Sequence, residues 1–327
     1  MVWRSEPAAR RISGEDGDLR LKAVRLHARG GPEQLRYEDA PTPAPTAGEV
    51  RVRVQAAGIT PTELTWTETY QDRSGNSRLP SIPAHELCGV VDAVGTDVDD
   101  IALGDVLYGL IDFPRDGCAA EFVVAPAADL APAPQTLDPV QVAAVPLSGL
   151  TAWQALFRHG RLQGGQRVLI HGAAGGVGSL AVQLARWKRA RIIATASQRH
   201  ESFLRELGVD QFIDYTAESF ETAVGDVDLV LDTVGGETLN RSWAVLKTSG
   251  RLISIVEEPG PPPAGHAPGM FFIVEPSRPE LGELTRLIDA GELRPLVQSV
   301  FPLARARAAF EEGFAGHLRG KIVLRVE

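Results

Sequence analysis

Cysteine is nearly absent from this chain, methionine and aromatic residues are scarce, and no long hydrophobic run occurs. The two cysteines, Cys88 and Cys118, are too few for a disulfide scaffold. No apolar segment typical of a signal peptide or a membrane span opens the chain. The formal net charge of −9 argues against nucleic acid or an anionic membrane as the main partner. We therefore expect a cytoplasmic globular protein with neither kind of partner.

The 327 residues leave room for two domains, because single domains usually span about 100–200 residues. Residues 1–20 are rich in Arg, Glu and Gly without periodicity, and they are predicted to form a flexible tail. After them come short apolar segments separated by turn residues, and residues 49–56 alternate strictly between apolar and polar side chains. Residues 21–145 are therefore predicted to form a curled, mostly antiparallel β-domain.

Residues 168–178, with the sequence VLIHGAAGGVG, join a predicted buried strand to a predicted helix through three spaced glycines. In such a turn Gly172 lets the chain reverse, Gly175 lets the backbone approach a pyrophosphate, and Gly178 lets the helix pack on the strand. The free N–H groups at the start of the helix face the negative phosphates. A glycine turn alone is a weak signal, so its interpretation depends on the segments that follow it.

Strands rich in branched residues alternate with helical segments from 191 to 255, which predicts a parallel, doubly wound sheet. Together with the glycine turn, this alternation predicts a Rossmann-type α/β domain over residues 146–294 that binds a dinucleotide. Residues 257–269 are dense in Pro and Gly and predict a long loop. The closing segment 320–326 reads as a strand, for which the N-terminal β-domain is a natural partner. We therefore predict that residues 295–327 complete the β-domain.

An acidic residue is missing where NAD-preferring proteins bind the ribose 2′-hydroxyl, about 20 residues beyond the glycine turn. Between Arg189 and His200 the chain has no Asp or Glu, and Arg199 offers a planar guanidinium suited to a 2′-phosphate. The alternative is that Arg199 only solvates the start of a helix. The pattern favours NADPH, with Ser197, Arg199 and His200 near the phosphate.

Several further motifs follow one another along the chain: AAGITP at 56–61, AHELCGVV at 84–91, GLTAW at 149–153, DTVGG at 232–236 and GKIVL at 320–324. In this order they resemble the medium-chain dehydrogenase/reductases, and among them the zinc-free quinone oxidoreductase branch. The resemblance implies a GroES-like catalytic β-domain built from both chain ends, a Rossmann domain, and an active site in the cleft between them. It also implies hydride transfer from a nicotinamide to a quinone, an enone or an enoyl thioester.

Zinc-dependent relatives hold a catalytic zinc with two cysteines and the histidine of a Gly-His-Glu motif. Of this set the chain keeps only His85-Glu86, and Thr60 stands where the first cysteine would be. A catalytic zinc needs about three protein ligands. We therefore expect no metal, and we interpret His85 either as a polar residue of the cleft or as a satisfied structural histidine.

The resemblance assigns catalytic roles to Thr60, Tyr70 and Thr151. Thr151 would approach the nicotinamide, cap a helix, or do both. Thr60 or Tyr70 would offer a hydroxyl to the developing enolate, whereas Trp66 would line the pocket. The resemblance also places Tyr215, at the end of the third strand, near the 2′-phosphate. With the glycine turn, the predicted cofactor-binding residues are Gly172, Ala173, Ala174, Gly175, Gly176, Val177, Gly178, Ser197, Arg199, His200, Tyr215, Thr233, Val234, Phe272 and Lys321.

These features predict a zinc-independent, NADPH-dependent reductase of an activated C=C bond or a quinone. Two alternatives stay open: an NADPH-binding protein with a structural or regulatory role and little turnover, and a tailoring enoyl reductase. A zinc-independent alcohol dehydrogenase is less favoured, because no Lewis acid would polarise the carbonyl. The apolar residues 270–274 predict an exposed edge strand and hence a homodimer, unless a helix covers that edge.

Overall fold

The computed structural model describes residues 20–316 and 319–326. The predicted N-terminal tail lies outside the described residues except for Arg20, which begins the first strand. Two sheets of different type dominate the structure, one mixed and one parallel. None of the described helices is both long enough and apolar enough to cross a membrane.

Between Arg20 and Pro132 the structure contains seven strands. They are β1 (Arg20–Leu26), β2 (Leu35–Pro41), β3 (Glu49–Ile59), β4 (Glu86–Val94), β5 (Val106–Leu110), β6 (Phe122–Pro126) and β7 (Leu130–Pro132). The strict alternation seen in the sequence places Val50, Val52 and Val54 of β3 in the core. β1 and β2 pair with each other in a separate antiparallel ribbon.

Strands and helices then alternate. They are α1 (Pro139–Ala143), α2 (Pro146–Trp153), β8 (Arg167–His171), α3 (Gly176–Trp187), β9 (Arg191–Ala196), α4 (Glu201–Leu207), β10 (Gln211–Asp214), α5 (Phe220–Ala223), β11 (Val227–Asp232), α6 (Gly236–Arg241), β12 (Leu246–Ser254), β13 (Met270–Phe271) and α7 (Arg278–Asp289). The strands pair in parallel in the order β10-β9-β8-β11-β12-β13. The predicted doubly wound sheet is therefore confirmed. The carboxyl ends of its strands lie at one edge, where such sheets bind ligands.

The predicted edge strand over residues 270–274 is shorter than expected. Only Met270 and Phe271 pair with β12, because β12 itself ends at Ser254, which is the partner of Phe271. Met270 is 38% exposed and Ile273 is 58% exposed. An apolar edge of the parallel sheet therefore faces solvent in the single chain.

The chain closes with β14 (Val297–Pro302), α8 (Ala306–Phe314) and β15 (Lys321–Arg325). β15 pairs antiparallel with β3 and parallel with β14, so the mixed sheet has the order β14-β15-β3-β4-β5-β7, with β6 also on β3. The two sheets meet at the glycine turn, where Gly175 forms an isolated parallel bridge with Gly320 just before β15. This bridge brings the start of β15 against the predicted cofactor loop.

Candidate active site

The glycine turn between β8 and α3 has the backbone geometry that its sequence predicts. Gly172 has a φ of 67°, and a Cβ there would lie 2.3 Å from Thr233 Oγ1. A Cβ on Gly178 would lie 2.4 Å from the carbonyl oxygen of Gly172, so only glycine lets α3 pack this closely on the turn. Gly175 differs, since a Cβ there would meet only the Gly172 oxygen, at 3.4 Å.

The space beside Gly175 and the start of α3 fit a dinucleotide pyrophosphate. Gly175 caps α3 without a side chain, and the first amides of the helix have no acceptor within it. The N–H groups of residues 176–178 would therefore hold the phosphates, helped by the positive end of the helix. Ala173 and Ala174 of the same turn are buried and pack into the core beneath the turn. Val177, on the first turn of α3, is partly exposed.

We expect Gly175→Ala to weaken binding of a nicotinamide dinucleotide by about 10- to 100-fold, because the added methyl group would fill the space next to the phosphates. The free energy of unfolding should change by less than about 0.5 kcal/mol, since Gly175 has an extended backbone with φ −72° and ψ 179°. A fluorescence titration with NADPH measures the first effect and urea denaturation the second. Gly282→Ala in α7, where a Cβ would meet nothing within 4 Å, is the matched control. Equal NADPH affinity in the native protein and Gly175→Ala would contradict the assignment.

The residues predicted to hold the 2′-phosphate lie together at the ends of β9 and β10. Ser197, Arg199 and His200 follow β9, and Arg199 Nε donates to His200 Nε2 at 3.1 Å. The Tyr215 amide donates to the Ala196 carbonyl at 3.4 Å, which holds this 60% exposed tyrosine beside them. The sequence-distant residues are thus gathered at one sheet edge.

Arg319 joins this group and was not predicted from the sequence. Its guanidinium lies 5.2 Å from the ring centre of Phe203 on α4. Partial burial lowers the pKa of His200, and the positive charges of Arg199 and Arg319 lower it further. The sequence offered no signal for Arg319, because it reaches this edge only through the bridge between Gly175 and Gly320.

A buried polar cluster lies on the other side of the glycine turn. Lys321 Nζ donates to Thr60 Oγ1 at 3.0 Å and forms an ion pair with Glu86 Oε1. Glu86 Oε2 accepts the Leu147 amide at 2.9 Å, at the start of α2. A Cβ on Gly176 would lie 3.2 Å from Lys321 Cδ, so the lysine stem lies against the predicted cofactor turn. Thr60 and the glycine turn are therefore linked through Lys321.

The charges in this cluster are shielded from water. The side chains of Lys321 and Glu86 are 8% and 1% exposed. Burial raises the pKa of Glu86, and the opposite charge of Lys321 counteracts part of that rise. The predicted cofactor contact of Lys321 needs an ammonium turned to the cofactor, whereas the structure turns it to Thr60 and Glu86. Sequence reasoning missed Glu86, although the motif AHELCGVV contains it.

The other two predicted catalytic hydroxyls both donate to backbone carbonyls. Tyr70 is 3% exposed, and its hydroxyl donates to the Leu64 carbonyl at 2.5 Å inside the β-rich core. Thr151 lies within α2 and donates to the Leu147 carbonyl at 2.6 Å, so it is not the cap of that helix, which is Val145. Both hydroxyl protons are thus occupied by backbone oxygens, which argues against the predicted role of Tyr70. Thr151 stays next to Leu147 and hence beside the cluster.

His85 is a satisfied structural histidine. Its Nδ1 lies 3.0 Å from Glu63 Oε2, and its Nε2 lies 3.2 Å from the Arg115 carbonyl. Both ring nitrogens are therefore used inside the protein. Among the described residues no group of three or more His, Cys, Asp and Glu side chains is arranged to hold a metal ion.

Aromatic side chains pack together beside the helical turn that follows Thr60. The ring of Trp66 packs edge-on against Phe113 at 4.9 Å, and Phe113 packs against His85 at 5.4 Å. Trp66 is partly exposed and follows the short helical turn Pro61–Thr65, whose N-cap is Thr60. Its place as pocket lining stays a prediction.

The remaining predicted cofactor contacts lie at the carboxyl ends of β11 and β13. Thr233 donates to the His171 carbonyl at 2.8 Å, and Val234 is 51% exposed beside it. Phe272 is 8% exposed, with its ring 4.6 Å from that of His159. Thr233 and Val234 thus border the glycine turn, whereas the ring of Phe272 is packed into the core.

Known proteins are similar to this chain along most of its length. A family model described as alcohol dehydrogenase GroES-like domain matches residues 46–135, and one described as zinc-binding dehydrogenase matches residues 207–324. A probable zinc-binding oxidoreductase of Arthroderma benhamiae is 33% identical over 89% of this chain and 93% of its own. An NADPH-dependent alkenal/one oxidoreductase of Arabidopsis thaliana is 30% identical over 90% of this chain and 77% of its own. The solved quinone oxidoreductase of Coxiella burnetii is 32% identical, with a TM-score of 0.87 over 94% of this chain and all of that one.

Proposed function

We propose that this chain, since it belongs to the medium-chain dehydrogenase/reductase family, reduces activated C=C bonds or quinones with NADPH. One observation carries the proposal. The glycine turn that fits a dinucleotide touches Lys321, whose ammonium holds the hydroxyl of Thr60. A hydroxyl beside the cofactor site and the aromatic side chains beside the turn after Thr60 suit a planar, conjugated substrate whose oxygen gains negative charge.

The chain's own residues account for binding and orientation. When bound, the nicotinamide supplies hydride to the substrate. Thr60 accepts its hydrogen bond from Lys321, so its own proton is directed elsewhere and suits a developing enolate, whose negative charge is shared by the oxygen and the α-carbon. The partly exposed Trp66 would pack against the flat face of the substrate and keep water out, with the buried Phe113 supporting its ring from behind.

We further propose that this reaction needs no zinc, although one matching family model is described as zinc-binding. The donor set supports this, because Thr60 cannot replace a thiolate and both nitrogens of His85 are engaged. Glu86, the remaining candidate, is paired with Lys321. The residues present therefore do not fit a catalytic zinc site.

The test is steady-state oxidation of NADPH with a panel of enones and quinones, before and after dialysis against a chelator. We expect turnover with at least one compound and no loss of rate on chelation. An NADPH-binding protein of structural or regulatory role would bind the cofactor without oxidising it. Activity lost with a stoichiometric metal ion would contradict the zinc-free mechanism.

A preference for NADPH over NADH follows from the group of Arg199, His200 and Arg319. We expect Arg199→Ala to reduce the preference by about 1–3 kcal/mol, the scale of a lost charge-assisted contact with the 2′-phosphate. Titrations with both cofactors measure it. Arg205→Ala removes the same charge from the exposed face of α4 and should leave the preference unchanged. Equal affinities of the native protein for NADPH and NADH would contradict the assignment.

We also propose a homodimer that pairs the edge of the parallel sheet. Among the described strands none pairs with the outer side of β13, and Met270 and Ile273 are exposed there. Open edges of this kind tend to pair with another strand. Light scattering that gives the mass of one chain at micromolar concentration would contradict the proposal.

A further inference from the structure

The contact between Lys321 and Thr60 joins a buried charge to an accessible hydroxyl. Lys321 is 7% exposed, whereas Thr60 is partly exposed at the end of β3. The lysine donates to the threonine oxygen, and the Thr60 proton has no acceptor recorded in the part of the chain that the structure describes. The hydrogen bonds therefore point in one direction, from the buried ammonium to the accessible hydroxyl.

A threonine hydroxyl alone is too weak an acid to protonate a substrate carbon. It can pass on a proton if its oxygen receives another one at the same time, and an ammonium group at hydrogen-bond distance can supply it. We propose that Lys321 provides, through Thr60, the proton that completes reduction of the C=C bond. This inference rests on the proposed function and names the residues that perform its second step.

In this second step one proton moves from Lys321 through Thr60 to the substrate. Once the β-carbon has received hydride, the electron pair of the former double bond lies on the α-carbon and the carbonyl oxygen. The α-carbon takes the proton of Thr60 Oγ1, and Thr60 takes one from Lys321 Nζ. Lys321 is left as a neutral amine and regains its proton from water after the product leaves.

Lys321 is held in place by its buried surroundings. Glu86 of β4 faces it directly. Glu63, on the turn after Thr60, is a further carboxylate, and its negative charge contributes to the raised pKa of Glu86. Gly176 and Ser148, on the other side, carry no charge. Glu86 is thus the carboxylate that the ammonium contacts directly, and its other contact is the hydroxyl of Thr60.

The test follows the proton rather than the rate alone. Reduction of a 2-substituted enone in D₂O with NADPH places deuterium on the α-carbon, and separation of the product on a chiral column shows on which face. We expect a single stereoisomer from the native enzyme and from Thr60→Ser, which keeps the hydroxyl. Thr60→Val and the double variant Lys321→Met/Glu86→Gln should give mixtures of both faces. Their turnover should fall at least about tenfold, because a positioned proton donor usually contributes about 10²–10⁴-fold.

Binding of NADPH without substrate separates this role from cofactor binding. The dissociation constant should stay within about twofold of the native value in Thr60→Val and in the double variant, since neither removes a phosphate contact. A single stereoisomer from Thr60→Val would overturn the proposal, and this variant changes no charge, so it keeps the test decisive if the double variant does not fold. NADPH affinity lost in the double variant with stereochemistry retained would assign Lys321 to the cofactor instead. A native enzyme that oxidises no NADPH would overturn the proposed function, and the relay with it, before any variant is made.

Discussion

Replacing Lys321 with methionine, or Glu86 with glutamine, should each lower the free energy of unfolding at pH 7 by about 3–5 kcal/mol. Either change leaves one charge in a site where the two side chains are 8% and 1% exposed. The double variant removes both charges and should lose less than either single variant, because its two neutral side chains need no compensation. The two changes would therefore be strongly non-additive in urea denaturation.

The exposed pair Arg307–Glu311 on α8 is the control for this cycle. Both of its side chains are more than half exposed, at 56% and 53%. Neutralising either one should change the free energy of unfolding by less than about 1 kcal/mol. Additive losses in the Lys321 and Glu86 variants would contradict the prediction, since they would mean that the two side chains stabilise the protein independently.

The loss in Lys321→Met should also depend on pH. Burial already raises the pKa of Glu86, and removing the lysine removes the group that holds this pKa down. With a raised folded-state pKa, the folded protein binds the carboxyl proton in a range where the unfolded chain does not. Lowering the pH therefore favours the folded state of this variant relative to its stability at pH 7. The difference in free energy of unfolding between the native protein and the variant should therefore become smaller as the pH falls from 7 towards 5.

Sequence patterns predicted what depends on neighbours along the chain. The alternation in β3 and the glycine spacing act within a few residues, so Val50, Gly172 and Gly178 occupy the environments that their positions predicted. The parallel sheet followed from the same kind of repeated pattern. These features need no knowledge of which distant segments meet.

The polar cluster depends on distant segments and could not be predicted in the same way. Thr60, Glu86 and Lys321 come together only because β15 pairs with β3, which also pairs with β4. The motifs contained all three residues, but not their contacts. Tyr70 shows the converse, since a hydroxyl near the motif was predicted to face the substrate and instead binds the Leu64 carbonyl. A sequence does not show which backbone oxygen a tyrosine will reach.

His171 should make the protein lose about 3 kcal/mol of stability as the pH falls from 6.5 to 4. The residue ends β8 directly before the glycine turn and is 0% exposed. Burial lowers its pKa from 6.5 to about 4. The ring nitrogens lie 3.0 Å from Thr195 Oγ1 and 3.1 Å from Ser242 Oγ, so the neutral imidazole is fully hydrogen-bonded.

The direction of this effect follows from where the proton binds. Above pH 6.5 the imidazole is neutral in both states and contributes no pH dependence. Between pH 6.5 and about 4 the unfolded chain takes up a proton that the folded protein does not, so unfolding becomes easier as the pH falls. Below about pH 4 both states are protonated, and the loss is complete.

Carboxyl groups also titrate in this range. The effect of His171 is therefore measured as the difference between the pH profiles of the native protein and of a variant without the imidazole. His171→Gln keeps a donor near Ser242 but does not titrate, and its free energy of unfolding should fall less steeply between pH 6.5 and 4, by up to about 1.4 kcal/mol per pH unit. Leu169→Ala, in the same strand and on the same face, is the control. It should lower stability by about 2–5 kcal/mol at every pH and leave the slope unchanged, because it removes packing and no proton site. If the profiles of native protein and His171→Gln run parallel, His171 is already protonated in the folded state, and the two hydroxyls beside it would have to hold an imidazolium.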